Sequence, residues 1–176
     1  LSTSYALMQF VMSPFWGRRS ERVGRKPVLL VGIIGFALSF LAFAIIAQLG
    51  KQGLFDRWTT FGLLLASRVA GGVFSSATLP TAQAYIADTT DRADRTAGMA
   101  LIGAAFGLGV VIGPAIGAAL STLSLLAPVY FSAGFALLNA VFVWIKLPEP
   151  VKHVRPPDEE HPTSLIVRMW PVLALG

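Results

Sequence analysis

Arg68 poses the sharpest chemical question in this chain. It sits in Leu64-Leu-Ala-Ser-Arg68-Val-Ala-Gly71-Gly72, inside a run from Thr59 to Ala87 that is otherwise free of charge. A guanidinium near the centre of a bilayer costs about 2.5–3.5 kcal/mol on insertion scales, so it must face the protein interior and find partners there. Near the end of a helix it would instead snorkel to the interface. Arg68 lies ten residues beyond Trp58, roughly 15 Å at the helical rise of 1.5 Å per residue, which is too deep for that escape. A second cluster, Gly17-Arg-Arg-Ser-Glu21-Arg22-Val-Gly24-Arg25-Lys26-Pro27, packs both signs of charge around two glycines. The spacing predicts a tight turn between two helices, with Gly17 allowing close packing and Gly24 free to take a positive φ. A third stretch reads Gly103-x-x-x-Gly107-x-Gly109-x-x-x-Gly113-Pro114-x-x-Gly117-Ala118. Gly109, Gly113 and Gly117 recur every four residues and share a face that another helix can approach closely. Pro114 removes one backbone hydrogen bond and is expected to bend the helix.

Other chemistries find no residues. With no cysteine, disulfides, thiol catalysis and cysteine metal sites are excluded. His153 and His161 lie in a polar, proline-rich stretch with no carboxylates completing a metal site. No nucleophile–base pair appears, so an enzyme is not expected, and no cofactor is called for. Gly107-x-Gly109-x-x-x-Gly113 has the wrong spacing for a nucleotide-binding loop.

The elements that carry these residues are apolar and long. Of 176 residues, 55% are hydrophobic and 13% charged, against roughly 25% charged in a soluble domain. Five apolar segments stand out: Leu1 to Trp16, Val28 to Leu49, Thr59 to Ala87, Ala97 to Leu120, and Leu123 to Ile145. Each approaches the roughly 20 residues that cross a bilayer as a helix, the first being slightly short. The third exceeds the hydrocarbon thickness and should tilt, kink at Pro80 or extend as far as Asp88. The connections of one side hold ten basic residues and those of the other side two. The positive-inside rule places the ten in the cytoplasm, the N-terminus outside and the C-terminus inside. The net charge of +5 therefore marks membrane topology and no nucleic-acid stripe. Residues 149–169 read as a cytoplasmic linker after a membrane unit spanning 1–148, and 170–176 as the start of a further helix. Both ends look cut.

These motifs resemble those of the major facilitator superfamily. The Gly17–Lys26 loop is similar to the family's Gly-x-Leu-Ala-Asp-Arg-x-Gly-Arg-Arg/Lys signature, with Glu21 for Asp and Arg19 for Leu. The resemblance implies that Glu21 meets a helix dipole in the other half, that Arg25 pairs with Asp88, and that the cluster with Arg22 and Lys26 holds a cytoplasmic gate. Arg68 matches the family's fourth-helix arginine, implicated in proton coupling. Gly109, Gly113, Pro114 and Gly117 resemble the fifth-helix antiporter signature, with Ala118 for its last glycine. Tyr5-Ala-Leu-Met-Gln9 and Tyr85-Ile-Ala-Asp88 look like tetracycline-efflux and multidrug proteins. The implied fold is all-α and integral to the membrane: helices two to six of a six-helix N-terminal half, with the first helix and the C-terminal half absent. The implied function is proton-coupled drug export from the bacterial inner membrane by alternating access. The alternatives are an uptake carrier for a sugar or metabolite, or a non-transporting membrane fragment. Arg68 would favour the charged form of a nearby carboxylate, yet no apolar segment contains Asp or Glu. Gln9, Gln83 and Asn139 offer polar contacts to a small-molecule substrate, with Phe106, Phe131 and Phe135 as apolar lining.

Overall fold

The computed structural model describes residues 2–91 and 93–150. They form an all-helical unit of six helices: α1 (Ser2–Val23), α2 (Arg25–Lys51), α3 (Arg57–Ser75), α4 (Thr78–Thr89), α5 (Arg95–Ser121) and α6 (Ala127–Lys146). Among the described residues, four stretches are long and apolar enough to cross a membrane: α2, α3 and α4 taken together, α5 and α6. The expected linker beyond residue 150 and the expected helix start at 170–176 lie outside the described residues.

Two boundaries differ from the sequence reading. The charged stretch expected as a loop is mostly helical, because α1 runs on to Val23 and α2 begins at Arg25. The turn is Gly24 alone, at φ 119°. Charged side chains do not oppose a helix where they can reach water, so charge marked the membrane boundary and not the helix end. The third apolar segment is two helices. Pro80, near the start of α4, has no N–H to offer the Ser76 carbonyl. The chain turns there, with the Ala77 N–H donating to the Phe74 carbonyl at 3.0 Å in place of a helical bond. The freed Val73 carbonyl accepts from the Trp16 indole at 2.7 Å and the Ser76 hydroxyl at 2.6 Å. A kink made by one proline is thus bound to the neighbouring helix α1.

α2 is the central helix. Leu29, Ile33 and Ala37 pack on Ala136, Ala140 and Val143 of α6, and Val28 packs with Trp16 and Ala77. Small residues at these contacts let the backbones close, since lipid supplies no hydrophobic drive between helices. Asp56 caps α3: its carboxylate accepts from the Trp58 and Thr59 N–H groups at 3.0 and 3.2 Å and from the Thr59 hydroxyl. That hydroxyl, foremost, holds the Asp56 carboxyl below its ordinary pKa. The cap is therefore in place at neutral pH and fades as pH falls through the lowered value.

Thr81 is fully buried on α4, and its hydroxyl has no partner among the described residues. An unpaired buried hydroxyl costs about 1–3 kcal/mol. Thr81→Val, which keeps the shape and removes the orphan group, is expected to hold or raise the thermal midpoint of the detergent-solubilised protein. A clear fall would mean that the hydroxyl finds a partner in the working protein.

Candidate functional site

Two constellations carry the candidate residues, one at the charged end of the bundle and one inside it. At the charged end the Arg25 Nε donates to Asp88 at 2.8 Å, joining the start of α2 to the end of α4. Arg25 Nη1 also donates to the Ser20 hydroxyl at 2.6 Å, which donates to the Gly17 carbonyl at 2.7 Å. The two ends of the ion pair differ in exposure, 15% for Arg25 and 41% for Asp88. The bare attraction is therefore worth no more than about 1 kcal/mol, and the geometry matters more than the energy. Glu21 and Arg22 are exposed near the end of α1, and Gly17 has open space where a side chain would go. The close packing expected of Gly17 is not seen, because no neighbouring helix reaches it among the described residues.

The acid that meets a helix start here is Glu149. Its two carboxylate oxygens accept from the backbone N–H groups of Arg25 and Lys26 at 2.7 and 3.1 Å, where α2 has orphan donors and a positive dipole end. A β-carbon on Gly24 would lie 2.6 Å from the same carboxylate. One residue earlier, the Pro148 carbonyl accepts from the Tyr85 hydroxyl at 2.9 Å. Sequence reasoning assigned Glu149 to the solvated linker. Its signal was its place, the first acid after α6 in Leu147-Pro-Glu-Pro. Glu149→Ala is expected to cost about 1 kcal/mol in thermal unfolding, a capping loss, with Glu149→Gln closer to the parent. Equal losses would point to something other than the acceptor oxygens.

Inside the bundle, Arg68 on α3 meets aromatic rings of α2. Its guanidinium carbon is 4.5 Å from the centre of Phe40 and 4.1 Å from that of Phe43. Among the described residues the one acid within a candidate span is Asp88, at the far end of the α3–α4 stretch and paired with Arg25, so beside Arg68 it is the rings that stabilise the cation. The Phe36 and Phe40 rings meet at a tilt of 37° with centres 4.4 Å apart. Spacing of four and three residues aligns the three rings on one face of α2. The glycines after Arg68 have a definite use. A β-carbon at Gly71 would lie 2.6 Å from the Ser39 hydroxyl, and one at Gly72 would lie 2.5 Å from the Tyr5 carbonyl. They let α1 and α2 close on α3 beside the arginine, and the Tyr5 hydroxyl donates to Ser75 at 2.7 Å.

Phe36 also lines a cavity of about 400 Å³ between α2, the α3–α4 break and α6. Phe131, Phe135 and Asn139 line it from α6, with Ile33, Ser75 and Thr78 opposite. The structure thus brings three of the six expected contact residues together. Gln9 on α1, the exposed Gln83 on α4 and the exposed Phe106 on α5 are not among the lining residues. The Asn139 amide has no partner among the described residues, so a free polar group joins the Ser75, Thr78 and Ser132 hydroxyls in a wall that is otherwise aromatic and aliphatic.

α5 stands apart. It runs unbroken through Pro114, none of its residues is buried, and it touches only α4 and α6. Gly103, Gly107, Gly109, Gly113 and Gly117 have nothing within 4 Å of a would-be β-carbon. No described helix occupies the small-residue face.

Comparison with known proteins accords with this arrangement. The sequence profile of the Major Facilitator Superfamily matches residues 1–175. Multidrug resistance protein 1 of Bacillus subtilis is 34% identical over 149 residues, covering 85% of this chain and 35% of the relative. Tetracycline resistance protein, class C, of Escherichia coli is 37% identical over 153 residues, covering 87% and 35%. Among solved structures, the human organic anion transporter MFSD10 superposes with a TM-score of 0.68 at 33% identity, covering 84% of this chain and 31% of that one. The chain spans about a third of the length of these relatives.

Proposed function

Because the chain belongs to the Major Facilitator Superfamily and is a multi-pass membrane protein, we propose that it forms most of the N-terminal half of a proton-coupled exporter of drugs, of the tetracycline or multidrug type. The observation that carries this reading is Arg68, a cation retained inside the bundle against two rings and joined through Phe36 to a cavity of drug-sized volume. The cavity's aromatic lining, with a free amide and a few hydroxyls among it, suits a mostly apolar molecule that carries some polar groups. Export then proceeds by alternating access, with Arg68 favouring the ionised form of a carboxylate supplied by the rest of the protein. The Arg25–Asp88 pair and the Glu149 cap tie the ends of α1, α2, α4 and α6 into one rigid corner, which serves as the cytoplasmic gate. The N-terminus of the chain is outside and the C-terminus inside, in the bacterial inner membrane. The open glycine face of α5 supports contact with the other half during switching.

A second reading is favoured by the resemblance to an organic anion transporter: the substrate itself carries the carboxylate that Arg68 meets. The full-length protein in inverted vesicles, loaded with a pH-sensitive dye, tests both. Proton release on adding tetracycline or a cationic drug supports antiport. No release with any drug, together with proton-linked movement of an organic anion or other metabolite, overturns drug export.

A further inference from the structure

Phe40 and Phe43 have no part in the family signatures, yet they are what Arg68 touches. A ring face attracts a cation through its quadrupole and accepts no conventional hydrogen bond from it. The five N–H donors of the guanidinium are therefore left uncommitted, and among the described residues Arg68 has neither an ion pair nor a hydrogen bond. An acid in the same place would lock Arg68 into a permanent pair that later partners must break. Two rings stabilise the charge where it is needed and leave its hydrogen-bonding edge available. The row continues through Phe36, whose half-buried ring both touches Phe40 and lines the cavity.

We propose that Phe40 and Phe43 are positioning residues for Arg68, holding its guanidinium by ring-face contact, and that the Phe36–Phe40 ring contact links that position to occupancy of the cavity. Its functional side rests on the transport reading above; its structural side does not. The two are separated by two measurements on the full-length protein.

In vesicles, Phe43→Leu and Phe40→Leu are expected to slow drug-linked proton release by roughly tenfold each, the scale of losing one desolvated cation–π contact. Phe43→Tyr and Phe40→Tyr, which keep the ring, should stay within about twofold of the parent on the same scale. Leucine and tyrosine variants of equal activity, whether both full or both lost, would overturn the proposal. In detergent, Phe43→Leu is expected to lower the thermal midpoint of the Arg68 protein and to leave that of an Arg68→Met protein nearly unchanged, since the methionine has no charge for the ring to hold. Equal lowering in both backgrounds would make the ring mere packing and overturn the proposal. The thermal cycle requires no transport, so a parent that moves no drug fails the transport reading alone and leaves this inference to be decided by the cycle.

Discussion

Gly72→Val is expected to detach α1 from α3 and to lower the stability of the full-length protein by about 3 kcal/mol, at the upper end for forced overpacking. The first atom of a new side chain would lie 2.5 Å from the Tyr5 carbonyl oxygen and 3.0 Å from the Met8 β-carbon. The nearer obstacle is backbone, so no rotamer change relieves it. α1 would have to move as a body, breaking the Tyr5–Ser75 and Trp16–Val73 hydrogen bonds that fasten it to α3. Gly62 lies on the same helix with nothing within 4 Å of a would-be β-carbon. Gly62→Ala should therefore be neutral or stabilising by up to about 1 kcal/mol, through helix propensity alone. Thermal unfolding in detergent compares the two. Equal midpoints for Gly72→Val and the parent would mean that α1 does not sit against α3 as described.

The contrast between these glycines shows which parts of the structure were legible in sequence. The all-α membrane architecture followed from hydropathy, since a bilayer leaves few other ways to satisfy the backbone. Positive φ at Gly24 was expected from its place between two charged helix ends, and the structure has it. A kink at Pro80 was one of three expectations for the third segment, beside a tilt and an extension to Asp88, and the structure has a break there with α4 running on to Thr89. The helix ends at the first connection were not legible. The first connection shrank from an eleven-residue stretch to Gly24, since the charge pattern reports where water begins and not where hydrogen bonding stops. Gly17 and Gly72 look alike in sequence; only the packing shows that one faces open space and the other a carbonyl. Glu149 and the Phe36–Phe40–Phe43 row were missed for the same reason. Each acquires its role from a helix far away in sequence, and an aromatic at helical spacing ordinarily reads as lipid contact or core. Asn139 was picked out for its polarity, while its company with Phe131 and Phe135 at one cavity could come only from the fold.

Arg68 yields the prediction with the largest expected effect on function. Arg68→Ala in the full-length protein should abolish drug-linked proton release, a loss of about 100-fold or more if the arginine makes a charge-assisted interaction during the cycle. Arg68→Lys keeps a cation and loses the planar fork, so it should retain some activity and fall between the two, about tenfold below the parent. The same alanine variant has an opposite expectation for folding. Removing a guanidinium from the middle of a span removes an insertion penalty of about 2.5–3.5 kcal/mol. The Phe40 and Phe43 rings recover only part of that penalty, since Arg68 is half-buried and each contact is worth about 1 kcal/mol, about 2 kcal/mol for the pair. Arg68→Ala should thus insert at least as well as the parent, and its amount in the membrane should be equal or higher. A protein that is better made and no longer coupled is the signature of a residue kept for function at the expense of stability. Quantifying the inserted protein by immunoblot beside the vesicle assay reads both quantities from one preparation. If Arg68→Ala is lost from the membrane, the arginine is structural and its partners lie in the rest of the protein. If it is present and still couples drug to proton, the coupling role fails and the proton path must be sought elsewhere.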